Sequence, residues 1–356
     1  MLLTSSLVSN PMGGRGMLSK LNRDILADIS VGCLTVVEMI KKPTGSFASI
    51  VKALNGDIDG IDTETTDQIF QLIHSRNIGL VFIDGSNFGK VVKLLKIRLP
   101  KLLVITFFHN VEARFFWGSL RQHKSLHALG VLVSNTLAER RAVKFSDKLI
   151  CLSERDSLLL KRLYGRSATH IAPMVLEDKC PASHIAFSGD APERFALFVG
   201  GTFYANRAGI EWYVREIVPR VNLPLYIVGL GFDALKAELE VPDKVVVVGA
   251  VDCLAEWYRR AQFVIAPIFD GSGMKTKVAE ALMFGKQVVG TPEAFAGYGD
   301  ITDKAGWVCE SADEFVFAIK AASAAITQTF DPALREIYMQ HHSMDAARKR
   351  LRNILE

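Results

Sequence analysis

Two lysines and a glutamate follow a pair of glycines in the stretch Gly271-Ser272-Gly273-Met274-Lys275-Thr276-Lys277-Val278-Ala279-Glu280. The first turn of a helix leaves backbone N–H groups unpaired and partly positive, and a glycine at position 273 lets a diphosphate approach them closely. Lys275 and Lys277 add formal charge at that helix start, where the helix dipole makes lysine unfavourable unless an anion is bound. Glu280, three residues after Lys277, shares its helical face. Its carboxylate could therefore accept hydrogen bonds from a pair of sugar hydroxyls while the amine meets a phosphate. The spacing suits a nucleotide-sugar, and it equally describes an ordinary strand-turn-helix unit with a solvated Lys/Glu face.

The elements that must position these residues are legible around them. Phe263–Ile268 is an apolar run of strand length, Val278, Ala281 and Leu282 recur at helical spacing, Gly285 suits a left-handed helix stop, and Gln287–Thr291 predicts the next strand. Further strand-like runs occur at Leu2–Val8, Gly32–Met39, Ile78–Ile83, Leu102–Phe108, Lys148–Leu152, Thr169–Ala172, Phe195–Val199, Pro224–Gly229 and Lys244–Val248. Helical patterns lie between most of them, and the last two fall at Ala312–Ala325 and Pro332–Leu355. Alternation of strand and helix predicts an α/β fold with doubly wound parallel sheets, whose ligands sit beyond the carboxyl ends of the strands.

With 356 residues, 49% of them hydrophobic and 22% charged, the chain can fill two cores. Between Cys180 and Glu193 the pattern dissolves into Pro, Ser, Gly and Asp, which reads as a linker. The expected domains are 1–185 and 190–340, with a helix at about 340–356 packing back on the first. Five scattered cysteines without a CxxC or Cys/His cluster argue against structural zinc and a disulfide framework and fit a reducing cytoplasm. No apolar stretch is long enough to span a membrane. Residues 1–190 hold 24 Lys/Arg against 17 Asp/Glu, and residues 191–356 hold 18 against 21. The basic first half favours a phosphate-bearing or membrane-surface partner. It carries no nucleic-acid recognition motif. Lys90–Leu99, which mixes lysines with Val91, Leu94 and Leu95, reads as a surface helix, with a lipid-facing role as the alternative.

Three more stretches place polar groups at strand exits. Asn10-Pro11-Met12-Gly13-Gly14-Arg15-Gly16 follows the first run, His109-Asn110-Val111-Glu112-Ala113-Arg114 follows Ile105–Phe108, and Gly200-Gly201 leads through Asn206-Arg207 into a helix. Arg207 is a candidate phosphate ligand with solvent exposure as its alternative. Arg15, Glu112 and Arg114 are candidates for an acceptor side. Ser153 is well placed as an N-cap, with Asp156 three residues on.

The segment from Asp270 to Phe295 resembles the donor-binding segment of glycosyltransferase family 4, the glycosyl transferases group 1, retaining enzymes of the GT-B fold. His109-Asn110-Val111-Glu112, Lys148–Asp156 and Phe198–Gly209 resemble further segments of the family. The resemblance implies two facing Rossmann-like domains with an interdomain cleft, and transfer of a sugar from a nucleotide donor to a glycan hydroxyl with retention of configuration. It places Glu280 on the second glutamate of the family's paired-glutamate motif and Ser272 on the first, a departure at the donor sugar. It also implies that His109 lies beside that sugar, that Gly249 to Val251 frame the base, and that Gly13, Gly14, Gly201, Arg207, Ser272, Gly273, Met274, Lys275 and Lys277 hold the donor.

Lys275, Lys277 and the helix start at Gly273 can neutralise a departing diphosphate, so the expectation is a metal-independent hexosyltransferase without a cofactor, taking a UDP-sugar in preference to a GDP-sugar. Front-face attack would use the leaving phosphate as base. Bacterial surface polysaccharide, capsule or lipopolysaccharide synthesis is the expected setting, in the cytoplasm or peripheral at the inner face of the cell membrane, with a glycan or lipid-linked oligosaccharide as acceptor. A catalytically silent GT-B subunit and a sugar-nucleotide epimerase are the alternatives.

Overall fold

The structure, a computed structural model, describes residues 1–5, 14–39, 62–182 and 193–356. They form two compact units, one of Met1–Val175 with Ala347–Glu356 and one of Leu176–Ala346. The expected linker lies mostly outside the described residues, as does Gly13 with most of its loop.

Unit 1 is a six-stranded parallel sheet in the order β2-β1-β3-β4-β5-β6, with β1 Leu2–Ser5, β2 Val36–Met39, β3 Leu80–Asp84, β4 Leu103–Phe108, β5 Lys148–Cys151 and β6 His170–Ile171. Unit 2 repeats the plan as β12-β11-β10-β7-β8-β9, with β7 Ala196–Val199, β8 Leu225–Val228, β9 Val245–Gly249, β10 Phe263–Ala266, β11 Val288–Gly290 and β12 Gly306–Val308. All the pairings between these strands are parallel. The central strands are buried on both faces, as β7 and β10 show along their whole length. That is why they read as continuous apolar runs rather than alternating ones.

In each sheet the direction of strand addition reverses once, between β1 and β3 in unit 1 and between β7 and β10 in unit 2. Such reversals open a crevice at the strands' carboxyl ends, because the connecting helices leave to opposite faces there. The residues that follow β3, β7 and β10 are thereby placed at positions suited to a ligand.

Two helices pack by close approach at glycine, one against another helix and one against the residue that follows β10. In helix Gly89–Arg98 a Cβ on Gly89 would lie 1.8 Å from the Ala138 carbonyl oxygen of helix Leu126–Phe145. In helix Tyr204–Glu216 a Cβ on Gly209 would lie 1.8 Å from the Pro267 carbonyl oxygen. In helix Gly89–Arg98 the apolar positions Val91, Val92 and Leu95 are buried, and Ile97 is exposed. Ser153 does cap helix Glu154–Tyr164, accepting from the Asp156 backbone N–H and donating to the Asp156 carboxylate.

The predicted closing helix from Pro332 to Leu355 is two, Pro332–His341 and Met344–Leu355, separated at His342-Ser343 where both residues are buried. The second holds to unit 1 through Lys148 Nζ on the Ile354 carbonyl at 2.5 Å and Arg348 on Asp28 at 2.8 Å.

Candidate functional site

In unit 2 the turn after β10 runs through Gly271 and Gly273, both at positive φ, into helix Thr276–Met283. Lys275, the residue before that helix, makes no side-chain cap, and within the first turn the Val278 N–H meets the Lys275 carbonyl at 3.3 Å. Lys277 lies just inside it, only 6% exposed. Its ammonium donates to Asn206 Oδ1 at 2.9 Å and sits 5.2 Å from the Phe198 ring centre, while Asn206 Nδ2 donates to the Gly201 carbonyl at 2.7 Å. Asn206 thus ties the lysine to the glycine turn after β7. Burial lowers the Lys277 pKa to about 8, with Glu280 working against the shift and Lys275 adding to it. A buried cation held by one neutral amide oxygen gains much from an incoming anion.

Glu280 is half-buried and accepts from the Tyr258 hydroxyl at 3.2 Å. Burial raises its pKa against the opposing influence of Lys277. Tyr258 is fully buried and stacks on Phe284 at 4.4 Å, which fixes the hydroxyl and with it the carboxylate.

The remaining candidates of this unit divide. Lys275 Nζ donates to Glu293 Oε1 at 2.8 Å and to the Gly273 carbonyl at 3.0 Å. The Ser272 hydroxyl oxygen is buried with no hydrogen-bond partner, and Met274 is buried. Gly249 ends β9 at φ +79°, where a Cβ would lie 1.7 Å from Asp233 Oδ1, and Val251 is half-buried just beyond. Arg207 instead turns to the surface, paired with Glu211 at 2.6 Å and Glu238 at 3.3 Å. Asn206, its neighbour, occupies the position beside Lys277.

In unit 1 the corresponding crevice holds His109, 7% exposed, at the exit of β4. Its Nε2 is 3.1 Å from Asp84 Oδ1 at the end of β3 and 3.5 Å from the Ser19 hydroxyl. Asp84 also accepts from Asn22 Nδ2 and from the Thr4 hydroxyl, each at 2.9 Å. Burial would raise the Asp84 pKa, but His109 beside it and hydrogen bonds from His109, Ser19 and Asn22 hold it below the ordinary carboxylate range. Asp84 is thus an anion that accepts from Nε2–H, leaving His109 Nδ1 as the other ring atom. That Nδ1 is buried and has no partner.

Around this pair, Arg15 bridges Asn87 Oδ1 at 2.8 Å and Glu112 Oε1 at 3.4 Å. Gly14 is the exposed first residue of helix Gly14–Ile29, and Arg114 is half-buried in helix Glu112–His123. Glu139, fully buried, closes the N-terminus of helix Glu112–His123 by accepting from the backbone N–H of Glu112 at 2.8 Å and Ala113 at 3.2 Å, and takes the Tyr164 hydroxyl at 2.7 Å. Burial raises its pKa. The sequence marks Asp84, which opens the stretch Asp84-Gly85-Ser86-Asn87-Phe88-Gly89 at a strand's carboxyl end, but gives it no partner, and it gives no role to Asn206, Glu139 or Glu293.

Among the described residues no group of three or more His, Cys, Asp or Glu side chains is placed to hold a metal ion. No helix among them is long and apolar enough to cross a membrane.

Comparison with known proteins matches residues 193–324 to the family model for glycosyl transferases group 1. Unit 2 carries a glycosyl transferases group 1 segment. The match runs through the Gly200 turn, Lys277, Glu280 and Glu293. A search of curated proteins finds no match. Among solved structures the chain is similar to sucrose-phosphate synthase from Thermosynechococcus elongatus, at 16% identity over 99% of this chain and 98% of that one, TM-score 0.71. It is similar to Anabaena HepE in complex with UDP, at 13% identity over 99% and 98%, TM-score 0.66. It is also similar to WaaG, a glycosyltransferase involved in lipopolysaccharide biosynthesis, at 16% identity over 98% and 94%, TM-score 0.60. These likenesses span nearly the whole chain and give it the GT-B fold, two Rossmann-like domains.

Proposed function

We propose that the chain is a retaining glycosyltransferase that moves a hexosyl group from a nucleotide-sugar to a glycan hydroxyl. The observation that carries this reading is Lys277, a buried ammonium at the uncapped start of helix Thr276–Met283, on the β7/β10 crevice and within the segment matched to group 1 glycosyltransferases. A diphosphate placed there receives the helix N–H groups and one charge-assisted hydrogen bond, which stabilise it as a leaving group. Glu280, fixed by Tyr258, accepts from the ribose hydroxyls. His109, held in orientation by Asp84 and with its Nδ1 unpartnered, is the residue of unit 1 to which this reading gives a catalytic role.

The transfer proceeds without a resident metal in this reading, the positive charge coming from Lys277 and the helix start. The donor is a UDP-sugar, a choice supported by the likeness to HepE structures solved with UDP and with UDP-glucose. Synthesis of a surface polysaccharide or lipopolysaccharide is the setting we favour, given the likeness to WaaG and to the lipopolysaccharide outer core galactosyltransferase WaaB. Titration calorimetry with UDP, GDP and ADP tests the reading. Micromolar binding of one of them, weakened by roughly 30- to 150-fold in Lys277→Ala, is the expected result, and no binding of any nucleotide to the wild type would overturn it. Product anomeric configuration by NMR and turnover in excess EDTA check retention and metal independence.

A further inference from the structure

The donor turn lacks a carboxylate at Ser272, yet one is present. Glu293 lies twenty-one residues later, in the turn after β11, and reaches back to the segment that contains Ser272. Its Oε1 is 2.8 Å from Lys275 Nζ, which also donates to the Gly273 carbonyl at 3.0 Å, so carboxylate, amine and glycine carbonyl form one chain of contacts. Both side chains are largely covered, Lys275 at 12% and Glu293 at 15% exposure. The turn that carries Glu293 is tightly fixed. Thr291 donates its hydroxyl to the Ile268 carbonyl and accepts from the Ala294 N–H, Ala294 and Phe295 are buried, and the buried Tyr298 donates to the Lys275 carbonyl at 2.8 Å. The turns after β10 and β11 are therefore stitched together on both sides of the Lys275–Glu293 pair.

Two further observations point from this pair toward a ligand. The Ser272 hydroxyl oxygen, three residues from Lys275, is buried without a partner, a polar atom that a hydroxylated ligand would satisfy. Tyr204, the first residue of the helix after β7, has its pKa raised by burial and by the negative charges of Asp270 and Glu293, so both carboxylates lie within electrostatic range of the residue that opens that helix. A carboxylate has about four lone-pair directions, so a lysine contact leaves acceptor capacity for hydroxyl groups.

We infer that Glu293 is a specificity-determining residue for the sugar half of the donor, its carboxylate accepting hydroxyl hydrogen bonds beside Ser272 while Lys275 holds it in place. The inference rests on the donor-site reading above and locates its sugar pocket. It also assigns Lys275 to Glu293 rather than to the diphosphate, which falls to Lys277 and the helix start.

The test compares one nucleoside diphosphate with its sugar conjugate, UDP against UDP-glucose and UDP-galactose, on wild type, Glu293→Gln and the double variant Ser272→Glu/Glu293→Gln. The expected result in Glu293→Gln is that UDP binds as tightly as to wild type or a few-fold tighter, since Lys275 is freed. The UDP-sugar should lose its affinity by about tenfold. The double variant returns a carboxylate to the same spot and should recover part of that loss. Equal loss for UDP and UDP-sugars, or no loss for either, would overturn the role of Glu293 and leave the diphosphate site standing. Failure of the wild type to bind any nucleotide would overturn both. Thermal melting of each variant without ligand separates a folding defect from a binding one, and a melt displaced by more than the ligand effect disqualifies Glu293→Gln in favour of Glu293→Asp, for which the same sugar-selective loss is expected.

Discussion

The two sheets share a plan and differ in the charge they gather at their crevices. Unit 1 comes from the basic part of the chain, yet around its crevice lie the buried carboxylates Asp84, Glu112 and Glu139, of which Asp84 and Glu139 are met by hydroxyl, amide or histidine groups and Glu112 by Arg15. Unit 2 comes from the slightly acidic part, yet at the start of helix Thr276–Met283 it buries an ammonium that donates to the side-chain oxygen of Asn206. The lysines and arginines that make unit 1 basic lie mainly on its outer surface. Net charge therefore describes the surface of each unit, while a few strand-exit residues set the chemistry within.

The largest effect expected from this contrast is at Lys277. Truncation to Ala removes a buried charge-assisted contact to the diphosphate and should weaken nucleotide binding by about 2–3 kcal/mol, roughly 30- to 150-fold, measured by calorimetry. The same change should leave the melting of unit 1 unmoved. Conversely, Asp84→Asn strips a buried anion from His109, Asn22 and Thr4 and should cost about 3 kcal/mol of stability in urea unfolding, while nucleotide affinity stays within twofold. Because the folded-state pKa of Asp84 is depressed, its contribution is complete above the ordinary value of 3.8 and is lost as pH falls below that toward the folded-state value. An Asp84→Asn protein as stable as wild type at pH 7 would contradict the geometry of the unit 1 crevice.

Gly89→Ala and Gly209→Ala probe the plan the units share. Each places a methyl 1.8 Å from a carbonyl oxygen of a packed neighbour, so both should destabilise by about 2 kcal/mol or more, one in each unit. A large difference between them would show that one helix can retreat from its sheet and the other cannot.

Smaller effects follow from titration in unit 2. Diphosphate affinity should be flat below pH 8 and decline above it, by at most tenfold per pH unit, as Lys277, with a pKa of about 8, gives up its proton. A second titration, in stability rather than affinity, is expected at Lys286, fully buried, whose ammonium donates to the Ala261 carbonyl at 2.7 Å and whose pKa burial lowers to about 7. Its folded-state pKa lies below the unfolded value of 10.5, so the unfolded chain holds more protons between those limits and stability contributed here rises with pH from 7 to 10.5. Wild type should gain stability relative to Lys286→Met across that range, and a flat difference would contradict it.

What the sequence disclosed and what it hid follow from the same physics. Strands such as Leu103–Phe108 and Phe263–Ala266 are apolar on both faces and announce themselves. By contrast β12, the three residues Gly306–Val308, is too short and too exposed to show a pattern. The break at His342-Ser343 was invisible because neither residue is a helix breaker in isolation. Lys277 and Glu280 were legible because three residues on one helix lie side by side. Asp84 with His109, Asn22 and Thr4, and Lys275 with Glu293, were not, because only the tertiary fold brings residues so far apart in the chain within 3.1 Å. Arg207 shows the opposite case, a basic residue in the expected stretch whose surface carboxylates at Glu211 and Glu238 were the nearer partners.

The chain leaves unit 1 at Val175 and rejoins it at Ala347. On the ribosome this fixes an order of events. Every residue of unit 2 is synthesised before the segment that carries Arg348 and Ile354 emerges to meet Asp28 and Lys148, so the second unit can be complete while the first still lacks its last helix. Unit 2 is thus the one that can finish folding first, and the unit begun first is finished last.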